Sequence, residues 1–168
     1  PALFYPHKNH SCIIDVACTL RDKGLNFKFI VTLQDCQFKR SFQAKIKYRK
    51  LENYIEDIGI VSSNEIYNNF EKSNFLFMPT HLETFGIPYI EAMSLAKPII
   101  TSDKDFSRNI CDEAAIYFDV SSTKDITEKI IFAIKNEKEL ITKSVQRYKK
   151  IQKEFNNSNK LKAIIDMY

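Results

Sequence analysis

The sequence predicts an α/β fold, a Rossmann-like doubly wound parallel sheet of about six strands with helices on both faces. Short apolar runs rich in β-branched and aromatic residues alternate with longer segments in which apolar residues recur at helical spacing. Residues 75–101 show this alternation most plainly. They contain an apolar strand, a polar loop with one glycine, a helix that begins near Pro88 and a second apolar strand, which together make a βαβ unit.

Composition limits the class of protein. The 168 residues are 44% hydrophobic, which fits one domain with its own core. The net charge of +4 is too small to indicate binding of nucleic acid. No apolar run approaches the roughly 20 residues that span a bilayer. The four cysteines lack the spacing of a zinc site or a disulfide framework. We therefore expect a single cytoplasmic domain over residues 1–168, with no metal or other cofactor.

Six segments are predicted as strands because each is a short apolar run bounded by polar residues or turn formers. They are residues 2–5, 27–33, 58–61, 75–78, 98–101 and 115–119. Because Pro1 opens directly into the first of these runs, we expect the domain to be part of a longer protein. Ligands of parallel sheets bind beyond the carboxyl ends of the strands, so the loops that follow the strands are the candidate site.

Helices are predicted where apolar residues recur at helical spacing after a capping residue. Asn9 or Ser11 is expected to begin the first helix and Gly24 to end it. Ser62, with Glu65 three residues later, has the pattern of a capping box. The remaining helices are expected over residues 41–57, from Pro88, from Ser122 through 134, and over residues 138–168 with a break at 156–159.

The loop of the central βαβ unit has the features of an anion site. A helix N-terminus presents unpaired N–H groups and the positive end of the helix dipole. Pro88 suits the first turn of a helix, which places Phe85, Gly86 and Ile87 at the anion-facing entrance. Because Gly86 lacks a Cβ, we expect the anion to approach the backbone closely there. With only three glycines in the chain, a Gly-rich dinucleotide fingerprint or a P-loop is excluded, and pyrophosphate is the expected anion.

Two glutamates flank this loop. Glu91 lies about one turn inside the predicted helix, roughly 5 Å along its axis, where it can reach the diol of a ribose. Glu83 can accept hydrogen bonds from the hydroxyl groups of a hexose. The alternative is that Glu91 only interacts with the helix dipole and that Glu83 is a solvated loop residue. Spacing alone favours neither interpretation.

A second acidic pattern and three histidines are weaker candidates. Asp103 and Asp105 have the spacing of a metal-binding D-x-D motif, but an aspartate after a strand more often caps the next helix. His7, His10 and His81 have no paired spacing with a nucleophile, and His81 is expected only to line the cleft. The cations of the last helix are expected to form a solvated face, with membrane contact as the alternative. These cations are Lys143, Arg147, Lys149, Lys150 and Lys153.

The block Glu-Thr-Phe-Gly-Ile-Pro-Tyr-Ile-Glu-Ala-Met-Ser-Leu-Ala-Lys-Pro-Ile-Ile resembles the E-x7-E signature of retaining glycosyltransferases of the family 4 type, which have the GT-B fold. Further similarity extends over nearly the whole chain. It includes Tyr-Pro-His-Lys-Asn-His, Ile-Gly-Ile-Val-Ser-Ser-Asn-Glu-Ile and Ala-Ala-Ile-Tyr-Phe-Asp. These segments belong to the C-terminal, donor-binding domain of that family. The resemblance therefore implies one half of a two-domain enzyme whose N-terminal acceptor domain lies outside this sequence.

The resemblance also implies a role for each candidate residue. Glu83 contacts the donor sugar as the catalytic residue, and Glu91 contacts the ribose. Lys8 and the backbone of Phe85, Gly86 and Ile87 contact the pyrophosphate. The backbone near Val61 and Ser62 recognises the base. The family commonly carries an arginine a few residues before that lysine, and residues 1–7 contain none. Whether the base is uracil or guanine stays open.

The implied function is transfer of a hexosyl group, with retention, from a nucleoside-diphosphate sugar to a glycan or lipid-linked acceptor in surface polysaccharide biosynthesis. A sugar-nucleotide epimerase of the same fold and a non-catalytic nucleotide-sugar-binding module stay open as alternatives. We expect the isolated domain to bind donor and to be inactive alone. Nucleic acid is not expected as a partner, and the protein is expected in the cytoplasm, either free or in peripheral contact with the inner face of the membrane.

Overall fold

Parallel strands in two groups carry the fold in the computed structural model, which describes residues 6–157. In the first group β1 (Phe29–Val31) pairs with β2 (Ile55–Asp57). In the second group β3 (Leu76–Met78), β4 (Ile99–Ser102) and β5 (Ala115–Phe118) pair in that order. The predicted α/β class is confirmed. Five strands lie within the described residues, and the predicted strand at residues 2–5 lies outside them.

One helix precedes the first described strand, four connect successive strands and two follow the last strand. They are α1 (Cys12–Asp22), α2 (Gln37–Tyr48), α3 (Ser63–Lys72), α4 (Ile87–Ser94), α5 (Asp105–Cys111), α6 (Thr123–Lys135) and α7 (Glu137–Asn157), with 3-10 turns at Pro6–Lys8 and Asp112–Ala114. Neighbouring residues of β4 show that both faces of the sheet are covered. Ile99 packs with α4 and α7, whereas Ile100 packs with α1 and α6. This alternation is that of a doubly wound sheet.

Aromatic side chains join the two groups of strands. The ring of Phe29 on β1 lies 5.4 Å from that of Phe77 on β3, and Phe77 lies 5.6 Å from Phe118 on β5. Phe29 and Phe77 both pack against the apolar cluster around Phe42 and against the cluster around Leu20. The two strand groups therefore share one continuous apolar interior.

The region around β2 differs from the sequence-based expectation. The helix predicted over residues 41–57 ends at Tyr48, and the strand predicted at 58–61 lies instead at Ile55–Asp57. Lys50 adopts a left-handed φ of 56°, and the N–H of Leu51 donates to the carbonyl of Ile46 at 2.9 Å. This is the hydrogen bond of a Schellman C-cap, with lysine in place of the usual glycine. Both predictions were wrong because no glycine or proline marks the end of the helix.

Most of the residues predicted to begin or end a helix are confirmed. Gly24 follows α1 with a φ of 71°, and Ser62 and Glu65 form the predicted capping box. The side chain of Ser122 accepts from the N–H of Asp125 at 3.1 Å at the start of α6. Ser11 is the N-cap of α1 but makes no side-chain cap bond.

The last helix, predicted from residue 138, begins at Glu137. The break expected at residues 156–159 is absent at its start, because α7 runs through Asn157, and residues 158–168 lie outside the described part.

Within residues 6–157, none of the helices combines the length and the apolar character that a membrane span requires. The four cysteines are free.

Candidate functional site

The turn Pro6–Lys8 docks on the loop that follows β3. The carbonyl of His7 accepts from the hydroxyl of Thr80 at 3.0 Å and from the N–H of His81 at 2.7 Å. Beside these bonds, the Lys8 ammonium pairs with Glu83 Oε2 at 2.5 Å, with side-chain exposures of 22% and 12%. Two of the predicted site residues, 75 positions apart in the sequence, are thus in direct contact. That contact was not predicted.

Glu83 retains capacity for further hydrogen bonds. Its Oε2 accepts from Lys8, and its Oε1 accepts from the N–H of Thr84 at the long distance of 3.3 Å. An ionised carboxylate has about four acceptor positions, and an ammonium has three donors. Lys8 can therefore hold Glu83 and a second anionic oxygen at the same time, and Glu83 can accept from a ligand hydroxyl without losing Lys8.

Buried hydroxyl groups support this loop from below. Thr80 Oγ1 shares its one proton between the carbonyl of His7 and that of Leu82, which lies at 2.7 Å. Ser102 Oγ at the end of β4 donates to the carbonyl of Thr80 at 2.6 Å. Ser107 Oγ then donates to the carbonyl of Ser102 at 2.7 Å. All three hydroxyl residues are buried. Sequence reasoning missed all three, although for Thr80 and Ser102 a polar residue at or just after the carboxyl end of an apolar strand was a usable signal.

The structure gives Gly86 a reason of its own, besides the predicted close approach of an anion. Its φ of 58° is left-handed, and a Cβ at this position would lie 2.6 Å from Ile110 Cδ1 and 2.6 Å from Tyr89 Cδ2. A side chain at this position would therefore run into these two residues. Backbone conformation and internal packing demand the glycine here.

The helix after Gly86 begins as predicted. Pro88 lies in the first turn of α4, and Gly86 is its N-cap. The first intrahelical bond runs from the N–H of Tyr89 to the carbonyl of Gly86 at 2.9 Å. The N–H groups of Phe85, Gly86 and Ile87 precede that donor at the open end of the helix. The side chains of Phe85 and Ile87 are 73% and 57% exposed.

Tyr89 anchors α4 to the sheet. It is fully buried, and its hydroxyl lies 2.8 Å from Thr101 Oγ1 on β4. Burial raises the pKa of Tyr89, and the bond to Thr101 opposes that shift. On the outer side of the same helix Glu91 is exposed, four residues after Ile87 and therefore about one turn from the helix start.

The predicted base-reading residues lie at the start of α3. The N–H of Ser62 donates to Glu65 Oε2 at 2.7 Å, and its carbonyl accepts from the N–H of Ile66 at 3.0 Å. The two backbone groups of Ser62 are thus engaged within α3. Of the predicted pair, Val61 is the residue that precedes this capping arrangement.

His10 lies close to the Lys8 side of the site. Its Nδ1 is buried and has no hydrogen-bond partner within the described part of the chain. Burial lowers the pKa of His10, the charge of Lys8 lowers it further, and Asp57 acts in the opposite direction. A neutral imidazole is therefore the favoured state beside the Lys8–Glu83 pair.

The second acidic pattern is engaged in a surface ion pair. Asp103 accepts two bonds from Arg108, at 2.5 and 2.7 Å, and this contact lowers the pKa of Asp103. Asp105 is the first residue of α5, and Lys104 rather than an aspartate is the N-cap. Among residues 6–157, no three or more histidine, cysteine or acidic side chains are grouped to hold a metal ion.

Arg147 differs from the solvated cation that the sequence suggested. Its side chain is only 15% exposed. It donates to the carbonyls of Ile110 and Asn109, at 2.8 and 3.1 Å, at the end of α5. This residue satisfies helix carbonyls and is unavailable as part of a cationic surface.

Comparison with known sequences finds glycosyltransferases both by family and by individual relatives. The family described as glycosyl transferases group 1 matches residues 2–155. The O-antigen chain mannosyltransferase RfbU of Salmonella typhimurium is 28% identical over 120 residues, which is 71% of this chain and 33% of that protein. The chain spans about a third of the length of the curated relatives it matches.

Two solved structures share the fold. The C-terminal domain of the group 1 glycosyl transferase LpcC from Francisella tularensis has a TM-score of 0.76 at 22% identity, covering 91% of this chain and 82% of that one. HepE from Anabaena, solved in complex with UDP and glucose, has a TM-score of 0.71 at 15% identity, covering 94% of this chain and 47% of that one. At these identities the likeness concerns the fold.

Proposed function

The chain belongs to the glycosyl transferases group 1 family and corresponds to its C-terminal domain, and from this membership we propose that it binds a nucleoside-diphosphate sugar as the donor domain of a retaining glycosyltransferase. The observation that carries the proposal is the Lys8–Glu83 pair at 2.5 Å beside the open N-terminus of α4. A cation, a carboxylate and a helix start at the carboxyl edge of a parallel sheet suit a ligand with both a diphosphate and a sugar.

The diphosphate takes the position between Lys8 and α4. The N–H groups of Phe85, Gly86 and Ile87 and the positive end of the helix dipole favour an anion there. Lys8 has donors left after pairing with Glu83, so it binds phosphate without giving up the carboxylate. As the glycosyl bond breaks, charge grows on the leaving diphosphate, and these fixed donors stabilise it.

The two glutamates take the two ends of the donor. Glu83, held by Lys8 next to the phosphate position, accepts hydrogen bonds from hexose hydroxyls as the catalytic residue. Glu91, exposed and one turn inside α4, reaches the ribose diol. Backbone near Val61, with Ser62 fixing the start of α3, reads the base. UDP and glucose in HepE support a nucleotide sugar as the ligand.

Transfer itself requires more than this domain. A cleft enzyme must hold donor and acceptor together, and the part of the relatives that this chain matches is only about a third of their length. We propose that an N-terminal acceptor domain completes the enzyme, with a glycan or lipid-linked acceptor in surface polysaccharide synthesis. The mannosyltransferase of O-antigen chains supports that pathway class. The setting is the cytoplasm, with peripheral contact to the inner face of the membrane, and no metal takes part.

Binding of donor fragments tests the proposal. Calorimetric titration of the purified chain compares UDP and GDP with their hexose conjugates. Glu83→Ala is expected to lower affinity for the sugar-bearing donor by about 1.5–3 kcal/mol, the value of one charged hydrogen bond. Affinity for the bare diphosphate stays the same or rises, because Lys8 then no longer shares its charge with a carboxylate. Glu91→Ala weakens both ligands through the ribose.

Glu139→Ala is the matched control. Glu139 also pairs with a lysine, Lys143 at 2.7 Å, but on the surface of α7. Its removal leaves both affinities unchanged. A Glu83→Ala variant that is folded by circular dichroism and weakens both ligands equally, or neither, contradicts the placement of the hexose. Efficient glycosyl transfer by the chain alone contradicts the need for an acceptor domain. In the presence of that domain, an epimerised donor favours the epimerase, and an unaltered donor favours the non-catalytic binding module.

A further inference from the structure

A buried carboxylate lies at the carboxyl end of β2 and belongs to none of the roles assigned so far. Asp57 is the last residue of that strand, and its side chain is only 4% exposed. Its Oδ1 accepts from the N–H of Leu33 at 3.2 Å and from the N–H of Gly59 at 3.0 Å. Its Oδ2 accepts from Gln43 Nε2 at 3.2 Å and pairs with Lys39 Nζ at 3.0 Å.

Lys39 completes this centre. Its ammonium is 19% exposed and donates to the carbonyl of Leu33 at 3.3 Å while it pairs with Asp57. Asp57 and Lys39 together therefore bind both backbone groups of Leu33, which is fully buried beyond the end of β1. The result is an ionic tie between the loop after β1, the loop after β2 and helix α2.

Stability alone does not account for such a tie. The desolvation of two buried charges offsets much of their attraction, and apolar residues of similar volume often serve a core as well. The strands themselves are already joined by the ladder from Phe29 with Ile55 to Val31 with Asp57. The two charges additionally fix the position of the backbone just after β1 and β2, at Leu33 and Gly59.

That backbone leads to the candidate site. Gly59, held by Asp57, has a left-handed φ of 71° and turns the chain towards Ile60 and Val61. Ile60 is 65% exposed, so the loop presents an apolar side chain to the outside next to Val61. His10, two residues after Lys8, is affected by the charges of both Lys8 and Asp57. The ring of His10 also lies 6.4 Å from that of Phe38, which precedes Lys39 on α2. The segment that follows Lys8 therefore packs beside the helix that carries Lys39.

We propose that Asp57, with Lys39, is a positioning residue for the nucleoside end of the donor: it fixes the loop of residues 58–61 so that Ile60 and Val61 meet the base. Asp57 acts through Gly59 and touches no ligand atom. The proposal rests on the proposed donor site. It assigns the nucleoside end to the loop after β2, whereas the diphosphate end depends on Lys8 and the start of α4.

The two ends of the ligand can be tested separately. NMR titration of the 168-residue chain measures the affinity for UDP, for GDP and for inorganic pyrophosphate. In Asp57→Ala, the nucleoside diphosphate that the wild-type protein binds is expected to weaken about tenfold, the effect of about one lost charged hydrogen bond. Pyrophosphate, which lacks the nucleoside, changes by less than about twofold. Asp57→Asn keeps an acceptor oxygen for the N–H groups of Leu33 and Gly59, and it stays within about threefold of wild type.

A second variant protects the test from misfolding, because Asp57→Ala leaves the Lys39 ammonium buried without its carboxylate. Asp57→Ala/Lys39→Met removes both charges. It is expected to regain part of the lost stability in a thermal melt but none of the nucleotide affinity. Glu56→Ala is the matched control, since Glu56 is the preceding residue of β2 and pairs with Lys28 at 3.0 Å on the surface. It changes neither affinity.

The ratio of the two affinities decides the outcome. If the folded variants weaken nucleoside diphosphate and pyrophosphate by the same factor, or weaken neither, Asp57 is only a structural residue and the inference is overturned. Recovery of nucleotide affinity in the double variant would also overturn it. A wild-type protein that binds pyrophosphate but neither UDP nor GDP, or none of the three, would instead overturn the donor-site proposal itself.

Discussion

Replacing Gly86 by alanine measures how tightly the start of α4 is packed. The left-handed φ of 58° makes a side chain strained there, at about 1–2 kcal/mol. The added Cβ would also lie 2.6 Å from Ile110 Cδ1 and 2.6 Å from Tyr89 Cδ2. Overpacking of this kind costs about 1–3 kcal/mol more. We therefore expect Gly86→Ala to lower the free energy of unfolding by about 2–5 kcal/mol.

Gly24→Ala separates the two contributions. Gly24 has a similar left-handed φ of 71°, but nothing lies within 4 Å of the position of its Cβ. Its replacement should cost only the backbone strain of about 1–2 kcal/mol. Urea unfolding measures both variants, and unchanged slopes show that the two-state treatment applies. Equal losses for Gly86→Ala and Gly24→Ala would refute the packing argument.

The atom responsible can also be identified. Ile110→Val removes the Cδ1 methyl group that the new Cβ at position 86 would meet at 2.6 Å. In a double-mutant cycle, Gly86→Ala should therefore cost less in the Ile110→Val background than in the wild-type background. Additive losses would place the conflict at Tyr89 alone. A larger loss in the Val background would contradict the geometry at both side chains.

Three further predictions concern stability. Ser62→Ala removes the capping box of α3 and should lower the free energy of unfolding by about 1 kcal/mol in urea titrations, whereas Ser62→Thr, which can still cap, should cost less. Burial and the charge of Lys8 lower the pKa of His10, and Asp57 opposes that shift. Between about pH 7 and pH 5 the unfolded chain therefore takes up a proton at His10 that the folded chain does not, so the free energy of unfolding should fall as the pH falls. In His10→Gln that decline should be shallower, and an unchanged slope in urea titrations across this range would show that His10 does not contribute. The four cysteines are free, so thermal melts with and without dithiothreitol should coincide, and a drop of many degrees with reductant would contradict this.

Local signals in the sequence sufficed for the elements whose ends are set by nearby residues. The capping residues Ser62 and Ser122 were identified because their partners lie three residues away, and Pro88 marked the first turn of α4 for the same reason. The strand β2 was misplaced, because the end of α2 depends on Lys50 in a conformation that lysine rarely adopts. The buried Leu51 and Ile55 stabilise that turn through packing with the core, which no local pattern encodes.

The sequence by itself determined the α/β class, the strand-loop-helix unit that carries the candidate site, and the residue types suited to a diphosphate and a sugar. Their arrangement was decided by the tertiary structure. Lys8 and Glu83 are 75 residues apart and meet only because the turn before α1 docks on the loop after β3. Gly86 is needed because Ile110 and Tyr89 fill the space beside it, and Asp57 gains its partners from two loops and a helix. Each of these contacts joins residues that are distant in sequence, so it follows from the packing of the elements and not from their local patterns.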